Sequence, residues 1–168
     1  MKKIIFLILL YFVAGMHAIA QDETANLKAA FVYNFTKYIE WNLTDHDEFV
    51  IGIIGSSPIL ESFNEIAQSK TVNDKKIIIR QFKKPADITF CNILFISQDT
   101  PFSLSSILAN TDKQTITVSE KEGFAEQGTA FNFKIVSDKL KFEANVKSII
   151  STGVKVSSQL LKLAKIVD

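Results

Sequence analysis

Residues that could do chemistry are few in this 168-residue chain. His46 is the only histidine after residue 17, and it lies between Asp45 and Asp47 in the stretch TDHDEF. A metal site or a Ser-His-Asp or Cys-His site would need several ligands or a defined nucleophile, and the sequence has no His/Cys cluster and no G-x-S-x-G motif. A hydrated loop gives the same pattern. We therefore predict no catalytic site, no metal site and no cofactor, and a protein that is not an enzyme.

The best candidate for a ligand site is the stretch IGIIGSSP, where an apolar strand ends and a helix begins. Backbone N–H groups at such a helix start can hold an anion, which makes Gly55, Ser56 and Ser57 a candidate anion or small-ligand loop. No full dinucleotide or phosphate-loop motif is present, and a structural turn is the favoured interpretation.

Cysteine is represented by Cys91 alone, so no intramolecular disulfide can form. A chain of this size can be stabilised by its hydrophobic core instead. Cys91 lies in the apolar run TFCNILFIS. This position favours a buried thiol over intermolecular pairing.

Residues 1–20 have the pattern of a cleavable signal peptide: a positive start, a short apolar run, and the small-x-small sequence of Ala18 to Ala20. Cleavage after Ala20 would leave residues 21–168 as one exported domain. Loss of Lys2 and Lys3 reduces the 19 basic residues to 17 against 18 acidic ones, a net charge of about −1. This balance indicates neither a nucleic-acid partner nor a polybasic membrane surface.

The elements that must position any site begin with LKAAFVYNFTKYIEW, residues 27–41. Its spacing predicts an amphipathic core helix with Asn34 and Tyr38 on the buried arc, where they would supply buried hydrogen bonds. The same projection puts Tyr33 and Lys37 on the wet face.

Strands and helices then alternate, which predicts an α/β fold with a mixed, mostly parallel central sheet flanked by helices. Strands are predicted at 49–54, 75–82, 91–97 and 115–119, and helices after Ser57 and after Pro101.

The carboxyl-terminal part changes pattern. GTAFNFKIV and KLKFEA alternate apolar and polar residues around Ser137-Asp138, which predicts an antiparallel hairpin with one wet face. A short helix should end at Gly153. The stretch SSQLLKLAKIV should form a closing amphipathic helix with Leu160, Leu163, Ala164 and Val167 inward.

Taken in order, these stretches resemble the YfiR-like family of periplasmic regulatory proteins. The resemblance covers LKAAFVYNFTKYIEW, FVIGIIGSSP, TVNDKKIIIRQF, CNILFIS, ITVSEKEGFAEQGTAFNF, KLKFEANV and SSQLLKLAKIV. It implies one α/β domain that binds the periplasmic part of an inner-membrane diguanylate cyclase or similar sensor and holds it inactive, which lowers cyclic-di-GMP and limits biofilm formation. Regulators of this family carry paired cysteines, so the lone Cys91 implies that redox control within the chain is absent.

The main hypothesis is therefore a periplasmic repressor that acts by binding, with a homodimer left open. Candidate contacts are the side chains that break the core pattern: Tyr33, Lys37, Phe124, Glu126 and Gln127. An exposed aromatic side chain would suit an interface anchor. The alternative is a small-ligand sensor that uses the loop after Gly55, with a pocket at the carboxyl ends of the parallel strands.

Overall fold

A computed structural model describes residues 23–41 and 47–167. The predicted signal peptide with its cleavage after Ala20, and the predicted hydrated loop around Asp45 and His46, lie outside these residues. Among the helices of the described ranges, none is both long enough and apolar enough to cross a membrane.

The described residues form helices and strands in alternation, as predicted. The helices are α1 (residues 23–35), α2 (Ile59–Ser69), α3 (Leu104–Ala109), α4 (Val146–Ser151) and α5 (Ser158–Leu161). The strands are β1 (Ile39–Glu40), β2 (Glu48–Ile54), β3 (Thr71–Val72), β4 (Lys75–Phe82), β5 (Ile93–Ile96), β6 (Ile116–Ser119), β7 (Phe131–Val136), β8 (Lys139–Asn145), β9 (Lys155–Val156) and β10 (Lys165–Val167).

Eight of these strands make one mixed sheet in the order β10-β8-β7-β6-β5-β2-β4-β3. The neighbours from β4 through β7 are all parallel, while β7–β8 and β3–β4 are antiparallel. This confirms the predicted α/β class, the mostly parallel sheet and the carboxyl-terminal hairpin. The first long strand, β2, lies between β4 and β5, so the chain reverses its direction of progress across the sheet between β2 and β5. In doubly wound sheets, ligands bind at this switch point.

Apolar side chains cover both faces of the central strands. On one face, Phe49, Ile51 and Phe95 belong to a core shared with α1, α2, α4 and α5. On the other face, Val50 and Leu94 pack with α3. Two-sided burial explains why these strands read as continuous apolar runs.

The first helix is shorter than predicted. Regular α-helix ends at residue 35, and a 3₁₀ turn from Thr36 to Tyr38 leads into β1, which pairs with β9. The Trp41 Nε1–H donates to the Thr36 carbonyl at 3.1 Å, and the Ser157 N–H donates to the Tyr38 carbonyl at 2.8 Å. These tertiary bonds use carbonyls that a continuing helix would need, so helix spacing alone predicts the wrong end.

The helix is also rotated relative to the prediction. Its buried residues are Ala25, Ala29, Val32 and Phe35. Asn34 is exposed and accepts a hydrogen bond from the Lys37 ammonium at 3.0 Å, and Tyr38 is 38% exposed. The prediction that Asn34 and Tyr38 dock the helix through buried hydrogen bonds is wrong. The small side chains of Ala25 and Ala29 let the helix pack closely. The prediction instead buried the arc with the larger side chains, because that arc is more hydrophobic.

The carboxyl terminus differs from the predicted closing helix. Only Ser158–Leu161 is helical, and Lys165–Val167 forms β10 parallel to β8. Leu163, predicted inward, is 69% exposed, while Leu160 and Val167 are buried. Pairing with β8 satisfies the backbone of the last residues better than an isolated helical turn would. Gly153 follows α4 with φ +71°, as expected for a residue that ends a helix.

Candidate functional site

Two adjoining cavities lie at the carboxyl edge of the parallel strands. The larger has a volume of about 330 Å³ and the smaller about 230 Å³. Lys28, Gln98 and Glu120 line both, so they form one continuous cleft, here called the switch-point cleft. Its walls come from α1, the loops after β2, β5 and β6, and the β7–β8 hairpin.

The Glu120 carboxylate is the centre of this cleft. Its Oε2 lies 2.5 Å from the Lys28 Nζ, and only 10% of the Glu120 side chain and 16% of the Lys28 side chain are exposed. Its Oε1 accepts a hydrogen bond from the Gln98 backbone N–H at 3.2 Å and one at 3.5 Å from the Ser57 hydroxyl. One acidic side chain therefore joins the first helix to two loops at the switch point.

The loop predicted to hold an anion is packed against the next loop. Gly55 has φ +96°, and a Cβ atom there would lie 2.9 Å from the Ser97 Cβ, so only glycine fits. The Ser97 hydroxyl donates to the Ser56 carbonyl at 2.5 Å. Ser57 accepts from the Ile59 N–H at 3.3 Å, at the start of α2. An anion beside Ser57 would have to displace Glu120; anion binding at this loop stays a prediction.

The hairpin contributes a buried polar pair that the sequence pattern missed. Asn132 and Glu143 face each other across β7 and β8, and they are 1% and 5% exposed. Lys134 and Lys165 each place an ammonium 3.3 Å from the Glu143 Oε1. The predicted wet face is therefore wrong at the base of the hairpin.

The tip of the hairpin, in contrast, is open on both faces. Lys134 and Ile135 are both exposed there, although strand alternation put Ile135 inward. Helix spacing and strand alternation describe one element at a time, and neither says where a neighbouring element ends. A signal that could have helped is the loop 121–130, whose Ala125 carbonyl accepts a hydrogen bond from the Asn145 side chain at the base of the hairpin.

One acceptor in the cleft wall has no partner. The Asn132 Nδ2 donates to the Phe133 carbonyl at 3.2 Å, but the buried Oδ1 has no hydrogen bond among the described residues. An unpaired buried acceptor costs about 1–3 kcal/mol, so its retention calls for an explanation.

The predicted contact residues do not form one surface. Tyr33 is half-buried, its hydroxyl donates to the Thr71 carbonyl at 3.3 Å in β3, and the Lys37 ammonium lies 5.0 Å from its ring centre. Glu126 and Gln127 are exposed in the loop beside β7. Four strands separate β3 from β7 in the sheet order.

Phe124 is not an exposed anchor. It is 6% exposed and packs in the core on the α3 side of the sheet, with the Lys121 ammonium 5.4 Å from its ring centre. The expectation of an exposed aromatic in this loop is wrong, because Phe124 turns into the core beside α3.

Cys91 is fully buried, as the favoured interpretation held. Burial raises the pKa of its thiol to about 12. Hydrogen bonds with Thr115 and the Gly52 backbone lower this pKa, but their effect is smaller than that of burial. Within the described residues, no group of three or more His, Cys, Asp or Glu side chains could hold a metal ion.

The fold and the cleft define a small doubly wound α/β domain with a polar crevice at its switch point. The chain belongs to the YfiR/HmsC-like family, whose model matches residues 25–165. This family comprises periplasmic regulators of cyclic-di-GMP signalling. No curated protein sequence matches the chain significantly.

Proposed function

We propose that this protein is an exported repressor that binds the periplasmic domain of an inner-membrane diguanylate cyclase or a similar sensor. It acts by binding, without turnover of a substrate. The observation that carries the proposal is the extent of the family match, which runs from residue 25 in α1 to residue 165, the first residue of β10, and covers all the other strands of the main sheet in full.

A repressor of this kind works by population shift. It binds the inactive conformation of its partner more tightly than the active one, and this differential affinity sets how far the equilibrium moves. Moving a sensor from mostly active to mostly inactive takes a preference of about 10⁴-fold. Such a preference favours an ordered, specific contact surface on the repressor.

The tip of the β7–β8 hairpin is the best such surface. Pairing of β7 with β6 stops at Asn132, and pairing of β10 with β8 starts at Glu143, so residues 134–141 extend beyond both neighbouring strands. Ser137 and Asp138 both have positive φ, at 50° and 58°, which is the tight hairpin turn that matches strand twist.

The exposed side chains of this tip fit a protein partner. Ile135 is 55% exposed and Val136 is 42% exposed on an ordered strand. Ile135 lies on one face of the tip and Val136 on the other, where Lys139 and Lys141 are also exposed, so the tip is apolar on both faces and basic on one. The complementary partner surface is apolar with acidic residues around it. Tyr33, Lys37, Glu126 and Gln127 remain candidate contacts outside this patch.

Site-directed cross-linking tests this proposal in cells that produce the protein naturally. A photoreactive amino acid replaces Val136 in one strain and Leu163 in a control strain; Leu163 is 69% exposed outside the tip. We expect position 136 to capture a membrane cyclase or sensor through its periplasmic domain, with little capture from position 163. If position 136 captures only this chain, or nothing, the proposal is wrong.

A charge substitution then tests the consequence for signalling. Ile135→Asp should leave cyclic-di-GMP as high as in a strain that lacks the protein, because a buried unpaired carboxylate disfavours an interface. Ile150→Asp is the matched control, since Ile150 is 70% exposed on α4. It should restore a low level, as the wild-type protein does. Equal repression by both variants would exclude the hairpin tip as the contact.

A further inference from the structure

We propose that the larger part of the switch-point cleft is a binding site for a small organic cation, a primary amine or guanidinium with a short apolar body. The inference concerns the isolated protein and does not depend on the identity of its membrane partner.

The charge of the cleft favours a cation. Lys28 neutralises Glu120, and Lys134 and Lys165 neutralise Glu143. Glu122 and Glu126 also line the cleft, both are exposed, and neither has an ion-pair partner among the described residues. With Lys165 included, three ammonium groups stand against four carboxylates, so the net charge of this cleft is about −1.

An independent observation points to a hydrogen-bond donor on the ligand. Asn132 lines the same cleft, is 99% buried, and its Oδ1 lacks a partner in the part of the chain that the structure describes. The base of the hairpin thus holds an almost fully covered acceptor that the protein does not use, and a small turn of the Asn132 amide toward the cleft presents it to a ligand. An ammonium or guanidinium N–H then supplies the missing donor, in the same cleft as the two free carboxylates.

The rest of the cleft selects an organic cation over a metal ion. Ile135 and Leu140 contribute to its lining, next to Phe133. The described residues contain no group of three acidic, histidine or cysteine side chains close enough to coordinate a metal. A volume of about 330 Å³ is at the lower end of the range for small-molecule pockets, which suits a small ligand with one charged end.

Isothermal titration calorimetry with phenethylamine and with agmatine tests the site, with 2-phenylethanol as the neutral analogue. We expect saturable binding of at least one cation, and binding of the alcohol about tenfold weaker than that of phenethylamine because the charge-assisted hydrogen bond is lost. Failure of both cations to bind at millimolar concentration would overturn the proposal. So would equal binding of phenethylamine and the alcohol.

Variants locate the binding. The double variant Glu122→Gln, Glu126→Gln should bind the cation about tenfold more weakly, since each exposed ion pair contributes a few-fold. The matched control is Glu61→Gln, Glu65→Gln, which removes two exposed carboxylates from α2 and should bind as the wild type does. Equal binding by both double variants would exclude this cleft.

Asn132→Ala removes the unused acceptor and should weaken binding by a further tenfold or so. Circular dichroism checks that this buried substitution leaves the fold intact. If the fold is disrupted, the two glutamate double variants alone decide whether the cation binds in this cleft. Loss of cation binding in all of these tests would leave the cross-linking result at Val136 unaffected, so the two proposals fail separately.

Discussion

On the face of the sheet opposite α1, the side chains of β2 and β5 are apolar, whereas those of β6, β7 and β8 are polar, although both groups are buried. The apolar end contains Val50, Ile54, Leu94 and Ile96. The polar end contains Thr117, Ser119, Asn132, Glu143 and Asn145.

The two ends are stabilised differently. At the apolar end, burial and close packing are enough: a Cβ on Gly52 would lie 2.7 Å from the Phe82 ring, which shows how tightly this region is filled. At the polar end, each group needs a partner. The Asn145 Nδ2 donates to the Ala125 carbonyl at 2.8 Å, and the Thr117 hydroxyl accepts from the Ala130 N–H at 2.9 Å.

These bonds place the loop 121–130, which forms one wall of the cleft. The unpaired Asn132 Oδ1 is an energetic cost at the polar end. Buried polar groups without hydrogen-bond partners are expected mainly at functional sites. If the proposed cation site exists, the apolar end contributes mainly stability and the polar end would supply ligand recognition.

The strongest test of this comparison is Leu94→Ala at the apolar end. Leu94 is fully buried, so truncation should lower the free energy of unfolding by about 3–4 kcal/mol through lost burial and a residual cavity. Urea denaturation measures this value. The same truncation at Leu163, 69% exposed, should change it by less than about 0.5 kcal/mol. Similar losses at both positions would contradict the importance of the apolar end.

The second test concerns Glu143 at the polar end. Replacing both Lys134 and Lys165 by Met leaves a carboxylate that is 6% exposed without either cation, and should cost about 3 kcal/mol of unfolding free energy. Glu143→Gln should cost only about 1 kcal/mol, because the two lysines are 40% and 63% exposed and can turn to water. Urea denaturation of both variants at neutral pH gives the ranking. A larger loss of unfolding free energy for Glu143→Gln would mean that the folded protein tolerates the unpaired lysines less well than the unpaired Glu143 carboxylate.

The smallest expected effect is the pH dependence from Cys91. Its folded-state pKa is about 12 against an ordinary value of 9.0, so the unfolded chain loses the thiol proton first. Stability should therefore be unaffected below pH 9 and fall above it, by at most about 1.4 kcal/mol per pH unit.

The control is Cys91→Ala, which removes the contribution of the thiol alone. The difference in slope between wild type and variant, from urea denaturation at several pH values between 8 and 10.5, isolates the thiol. Equal slopes would show that Cys91 titrates with its ordinary pKa in the folded protein, and hence that the apolar end admits water.

The sequence predicted those elements whose local pattern and tertiary environment agree. Strands β2 and β5 are recognisable because burial on both faces requires continuous apolar residues, and β4 because of its β-branched isoleucines. The hairpin is recognisable because Ser137 and Asp138 tolerate positive φ. The buried state of Cys91 follows from its neighbours in an apolar run. The family resemblance, carried by stretches along the whole chain, agrees with the match to residues 25–165.

The predictions that were wrong concern features set by contacts between distant segments of the chain. The end of α1 is set by β9 more than a hundred residues away, and its rotation by the fit of Ala25 and Ala29 against the sheet. The exposed position assigned to Phe124 overlooked its packing in the core on the α3 side of the sheet.

Local sequence therefore determined the α/β class, strands β2, β4, β5 and β6, the hairpin and the buried thiol, because burial and turn geometry leave a periodic record in the residues themselves. Only the tertiary structure decided that Lys28 meets Glu120, that Asn132 lies in a cleft wall with an unused acceptor, and that residues 134–141 extend beyond their neighbours. These features arise where elements remote in the chain meet, and such meetings depend on strand order and strand length, which periodicity does not encode.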